Sequence, residues 1–177
     1  NVALTGTVLA NAVASLDSVA LYVEDSLRFG FHDPGGFTEQ EVRIHDCAYA
    51  PLQAQLSVTG AGIIGPDAGR FSLVGGFTPV ILAGTGHTWE VHFDDSGASA
   101  NTTYEATLAF NTADEPLPGA TVQSNVTLHL SATVTSGSAA VLPGALPAAL
   151  AFLPPRPNPV PGETAFRFDL PRASAAS

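Results

Sequence analysis

Lysine and methionine are absent from this 177-residue chain, and cysteine and tryptophan occur once each. With 6 arginines against 16 acidic residues the formal net charge is −10, so the field repels phosphate backbones and offers no ammonium group to anionic lipid. Nucleic acid and acidic membrane surfaces are therefore poor partners. A lone Cys47 excludes an intrachain disulfide framework and a thiolate zinc cluster. Within His45-Asp46-Cys47-Ala48-Tyr49 it is expected to be a half-buried strand residue rather than a nucleophile beside a base. Without methionine, Asn1 is not an initiator position, and the expectation is a processed or excised chain whose leader is gone. Charged residues are only 12% of the chain and hydrophobic ones 45%, too apolar a mixture for disorder.

What is abundant is punctuation: 17 glycines and 14 prolines, set between short runs of alternating character. Strands are predicted at Val19–Val23, Ser26–Phe29, Glu39–Asp46, Leu52–Thr59, Phe71–Val74, Val80–Leu82, His87–Phe93, Thr103–Asn111 and Val122–Val134, with no convincing helical period among them. Separators such as Asp33-Pro34-Gly35-Gly36, Gly60-Ala61-Gly62 and Asp94-Asp95-Ser96-Gly97 recur at the spacing of a β-sandwich. In Trp89-Glu90-Val91-His92-Phe93 the residues Trp89, Val91 and Phe93 share one strand face, and Tyr104, Ala106, Leu108 and Phe110 share another. Trp89, Val91, Phe93, Leu108 and Phe110 are therefore the expected core. The fold class is all-β.

Four segments follow from this pattern: an N-terminal strand extension and linker over 1–17, the sandwich over 18–135, a Pro/Ala-rich linker over 136–163, and a strand segment over 164–177. Pro116–Leu153 holds no Asp, Glu or Arg, but Pro143 and Pro147 break its apolar run short of the roughly 20 residues a membrane helix needs. No membrane insertion is expected. Eight of the 14 prolines lie between Pro143 and Pro171, stiffening the linker toward polyproline II geometry. The opening Asn1-Val2-Ala3-Leu4-Thr5-Gly6-Thr7-Val8 echoes Asn125-Val126-Thr127-Leu128-His129-Leu130-Ser131-Ala132, as if the chain began on a strand equivalent to a sandwich's last.

Val19–Val134 resembles the bacterial choice-of-anchor group of immunoglobulin-like domains, relatives of the abnormal-spindle and hydin modules. The residues that carry this are Leu27-Arg28-Phe29-Gly30, the Glu41–Cys47 strand with Ala50-Pro51-Leu52, and Phe71-Ser72-Leu73. Ile81-Leu82-Ala83-Gly84, Trp89–Phe93 and Tyr104-Glu105-Ala106-Thr107-Leu108 complete the series. The stretch Arg156-Pro157-Asn158-Pro159 leading to Phe166-Arg167-Phe168-Asp169-Leu170-Pro171 is similar to the start of a C-terminal secretion-sorting or flagellar-hook-cap-like immunoglobulin domain. Together these resemblances imply an immunoglobulin-like β-sandwich on the cell surface or secreted.

Candidate sites are few. His87, Glu90, His92 and Asp94 alternate well enough to bring imidazoles and carboxylates together on a sheet face, although a solvated polar face reads the same way. Asp94, Asp95 and Asn101 are weak calcium candidates, without the regular spacing of an EF-hand loop. Gly60-Ala61-Gly62-Ile63-Ile64-Gly65 fits a dinucleotide glycine pattern but opens no helix. Asn101-Thr102-Thr103 and Asn125-Val126-Thr127 fit the glycosylation acceptor pattern. Phe29, Phe31, Phe37, Phe71 and Phe77, with Tyr22 and Tyr49, are read as core ahead of a sugar-stacking platform. No catalytic set and no cofactor is expected. The first expectation is a structural spacer or filament subunit, contacting other copies or neighbouring domains through the strands of Val2, Leu4 and Val8 and of Phe166, Phe168 and Leu170. The second is a carbohydrate- or protein-binding accessory module.

Overall fold

A computed structural model of the chain describes residue 6, residues 8–136, and the backbone of residues 151–152 and 168–169. Nine strands build the sandwich: β1 (Ala14–Ser15), β2 (Glu24–His32), β3 (Gln40–Asp46), β4 (Leu56–Ile64), β5 (Phe71–Leu73), β6 (Val80–Leu82), β7 (His87–Phe93), β8 (Thr102–Asp114) and β9 (Val126–Val134). One sheet runs β1-β3-β7-β5 and the other β2-β9-β8-β4-β6. Every pairing is antiparallel except β2 with β9. The first strand of the sandwich is split: β1 joins one sheet, then the chain crosses and β2 joins the other. Strand order thereby follows the A-B-E-D and C-F-G layout of an immunoglobulin sandwich, with β6 added beside β4. Among the described residues no helix is long and apolar enough to cross a membrane.

Alternation produces the core. Tyr104, Ala106, Leu108 and Phe110 on β8 face Trp89, Val91 and Phe93 on β7, all buried, while the intervening side chains point to solvent or its margin. Phe93 is the hub of an aromatic cluster, with ring centroids of Phe37, Phe71, Tyr104 and Phe29 at 4.8, 5.0, 5.7 and 6.0 Å. Trp89 packs on Phe110 at 4.9 Å in a second cluster. Phe29 and Phe71 belong to this core, whereas Phe31, Tyr22 and Tyr49 are exposed.

The structure departs from the sequence reading at the strand ends. Val19–Val23 forms no strand, because the Asp17 carboxylate accepts the Val19 and Ala20 amides at 2.7 and 2.8 Å and turns the chain locally. The strand expected at Leu52–Thr59 lies at Leu56–Ile64, so Gly60-Ala61-Gly62 sits inside β4 and is no turn. A bulge falls between Val58 and Gly60, and a β-carbon at Gly60 would come within 3.1 Å of the Asn111 side chain. Val122 contributes only an isolated bridge to Ala113, ahead of β9. Cys47 is buried just past the end of β3, in a turn. The sandwich also begins before residue 18: Ala12, Ala14 and Ser15 are buried, and Ala10 bridges Gln53.

Residues 138–177 make a second unit, in which Ala151–Phe152 pairs antiparallel with Phe168–Asp169. Val2, Leu4, Phe166 and Leu170 lie outside the described residues.

Candidate functional site

Two features stand out from the surrounding framework: a groove on the solvent face of the five-stranded sheet, and a pair of buried carboxylates under the first strand. The register of β2, β9 and β8 sets the groove in rows. Phe31, Thr133 and Thr103 make one row, Arg28, Ser131 and Glu105 the next, and Ser26, His129 and Thr107 the third. Gly65 and Pro66 form the wall, and the open depression measures about 610 Å³. Gly65 has φ +122°, and a β-carbon there would come within 3.2 Å of the Ala106 backbone, so the turn hugs the sheet only as glycine. Asp67 fixes the same turn by accepting the Glu105 amide at 2.8 Å.

The groove's polar groups divide into spent and unspent. The Thr103 and Thr133 hydroxyls bond each other at 2.9 Å, and His129 meets Glu24 at 2.8 Å. Arg28 and Glu105 flank Ser131, yet neither side chain makes an ion pair or hydrogen bond among the described residues. Phe31 is 77% exposed at the end of the groove.

Asp46 closes β3 and Asp114 closes β8, both on the inward phase of their strands, 3% and 6% exposed. Asp114 Oδ1 accepts the Ala12 amide at 2.8 Å and Gln123 Nε2 at 2.9 Å, while Oδ2 accepts the Thr121 amide at 3.0 Å and its hydroxyl at 2.8 Å. Burial is the strongest single influence on its carboxyl and pushes upward, but these donors together bring it below the usual carboxylate range. Asp46 Oδ1 accepts the Val13 amide at 3.1 Å and Gln53 Nε2 at 3.0 Å, whereas Oδ2 has no hydrogen-bond partner among the described residues. Burial raises its carboxyl, the Val13 and Leu56 amides oppose the rise, and the Asp114 charge adds to it. The successive amides of Ala12 and Val13, just ahead of β1, are thus held by two carboxylates whose surroundings shift them in opposite directions.

Neither aspartate was singled out from sequence as a site residue. The signal was present, since Phe110, Thr112 and Asp114 continue one alternation, as do Val42, Ile44 and Asp46.

The expected metal candidates are not brought together. Glu90 and His92 point outward from β7, and His92 lies 3.4 Å from Glu39. The Asp94 side chain accepts the Ser96 amide at 2.9 Å, and hydrogen bonds from Ser96 hold its carboxyl below the ordinary value. Asp95 accepts the Gly35 amide, and Asn101 accepts the Ser136 amide at 3.3 Å from a left-handed backbone. Among the described residues no group of three or more His, Cys, Asp or Glu is placed to hold a metal ion. At Cys47 burial raises the thiol, with the Asp17 and Asp46 charges adding to the effect, the reverse of what a nucleophile needs.

By fold the chain is an all-β sandwich of immunoglobulin-like topology. No family model and no curated protein matches it. Among solved structures, the crystal structure of the periplasmic chaperone SfaE is similar at 14% identity over 71% of this chain, with a TM-score of 0.37, and the chain spans 61% of that protein's length.

Proposed function

We propose that this chain is a non-catalytic structural module of a secreted or surface-attached protein, a spacer or filament subunit that joins its neighbours by adding a strand to an open sheet edge. One observation carries this reading. β1 pairs only with Asp46 and His45, so on that side Gln40–Ile44 of β3 has no partner strand among the described residues. The other edges are poorer receivers. β5 and β6 are three residues long, and β2 is guarded by Glu24 and Asp25 and by its bulge between Arg28 and Gly30.

The donor we favour is the N-terminal segment. Val8 is 93% exposed and pairs with no strand of its own sandwich, and Val2, Leu4 and Val8 alternate as an added strand requires. The backbone of Phe168–Asp169 already pairs with Ala151–Phe152 within its own unit, which makes that segment the weaker donor. Addition from copy to copy does not close on itself unless the rotation forms a ring, so it propagates. The extracellular setting rests on the resemblance of Val19–Val134 to bacterial surface modules. The partners are other copies of the chain or adjoining domains.

Negative-stain microscopy with light scattering tests this directly. Filaments or concentration-dependent multimers are expected, and deleting residues 1–9 should return monomers. Monomers at every concentration, or multimers that survive the deletion, contradict the reading.

A further inference from the structure

We propose that the groove on the outer face of the five-stranded sheet is a binding site for a neutral saccharide chain, with Phe31 as the stacking platform and Arg28 and Glu105 as the polar pair that orients it. This inference is independent of strand addition, which uses a different sheet and an edge rather than a face.

The argument begins with what the site leaves unsatisfied. Arg28 and Glu105 stand on either side of Ser131, two strand spacings or roughly 9–10 Å apart across the sheet. Held by separate strands, they present a guanidinium fork and a carboxylate with no protein partner on the described residues. The ligand must therefore offer both acceptors and donors, spread over more than one position, which the hydroxyls of a saccharide chain do and a simple anion or cation does not. Phe31 adds the second requirement. A ring left 77% exposed beside Thr133 offers a flat apolar face to a ligand that has one of its own, as the C–H face of a pyranose does. Rigidity is the third element, because the floor is paired strand and the Gly65–Pro66 wall is pinned by Asp67.

Other occupants fit less well. A polyphosphate or nucleic acid meets Glu105 and Glu24 in a protein of net charge −10. An apolar ligand would strip water from the Ser and Thr hydroxyls of the floor without replacing it. A peptide recognised through its backbone needs a free edge, and β9 and β8 under the groove are paired on both sides while the edge strand β2 is interrupted by its bulge between Arg28 and Gly30.

Native gel electrophoresis of the full chain in gels cast with hydroxyethylcellulose, xylan, galactomannan or dextran, and with alginate as the polyanionic control, tests the proposal. Retardation is expected in at least one neutral gel. Phe31→Ala should weaken it at least about tenfold, and Arg28→Ala and Glu105→Gln should each weaken it, at unchanged melting temperature, since all three side chains are exposed. No retardation in any neutral gel overturns the proposal, as does retardation that survives Phe31→Ala. Retardation in alginate alone, lost with Arg28→Ala, would make the groove an anion site. A concentration-dependent dimer lost with Phe31→Ala and indifferent to polysaccharide would make it a self-association face; either result overturns the saccharide assignment.

Discussion

Asp46 and Asp114 are both covered from solvent, and they differ in how deeply they sit and in how many donors each has. Asp114 is satisfied on both oxygens and its carboxyl is lowered, so its contribution to stability is present above the unfolded value of about 3.9 and lost as pH falls through the folded one. Asp114→Ala leaves the Ala12 and Thr121 amides and the Gln123 amide group without their acceptor, and calorimetry should find a loss of about 3 kcal/mol or more at neutral pH. Asp46 has the opposite sign. Its raised carboxyl contributes fully below the unfolded value and loses that contribution as pH rises through the folded one. Asp46→Asn retains an oxygen to accept from Val13 and Gln53, so melting curves across about pH 4 to 8 should show the variant gaining on the wild type as pH rises. A difference that stays constant with pH would mean that Asp46 does not titrate in the fold. Cys47, buried and raised, should resist iodoacetamide in the native state and react on unfolding.

At the level of elements, the strength of each local pattern decided how well it could be read. β6 and β7 coincide with the runs Val80–Leu82 and His87–Phe93, where turn residues bound a clean alternation on both sides. The alternation in β8 was equally plain, and its outward residues Thr103, Glu105 and Thr107 are those of the groove. What sequence did not supply is the parallel pairing of β2 with β9, a contact across about a hundred residues that alone brings Arg28 and Phe31 to that face. Val19–Val23 failed for a local reason: side-chain bonds from Asp17 and Ser15 outcompete strand pairing. Gly60 and Gly62 misled because a glycine pair reads as a turn unless a bulge partner such as Asn111 is known. The core prediction belongs here. Phe93→Ala removes the hub of the aromatic cluster and should cost about 3–5 kcal/mol in denaturant unfolding. A midpoint that scarcely moves would mean that the cluster does not hold the two sheets together.

For the whole molecule, the split first strand is the decisive feature. It secures Ala10–Ser15 to the sandwich through backbone bridges and two aspartates, and by crossing early it leaves the rest of β3 uncovered. The same device that completes the sandwich thereby leaves the edge that the proposed strand addition would use. Hydrogen–deuterium exchange on β3, followed as a function of protein concentration, examines that edge most directly. Those amides of Gln40–Ile44 that do not face β7 should become protected as concentration rises, and the protection should vanish when residues 1–9 are deleted. Exchange at these amides that is the same at every concentration, with and without residues 1–9, would contradict strand addition at β3.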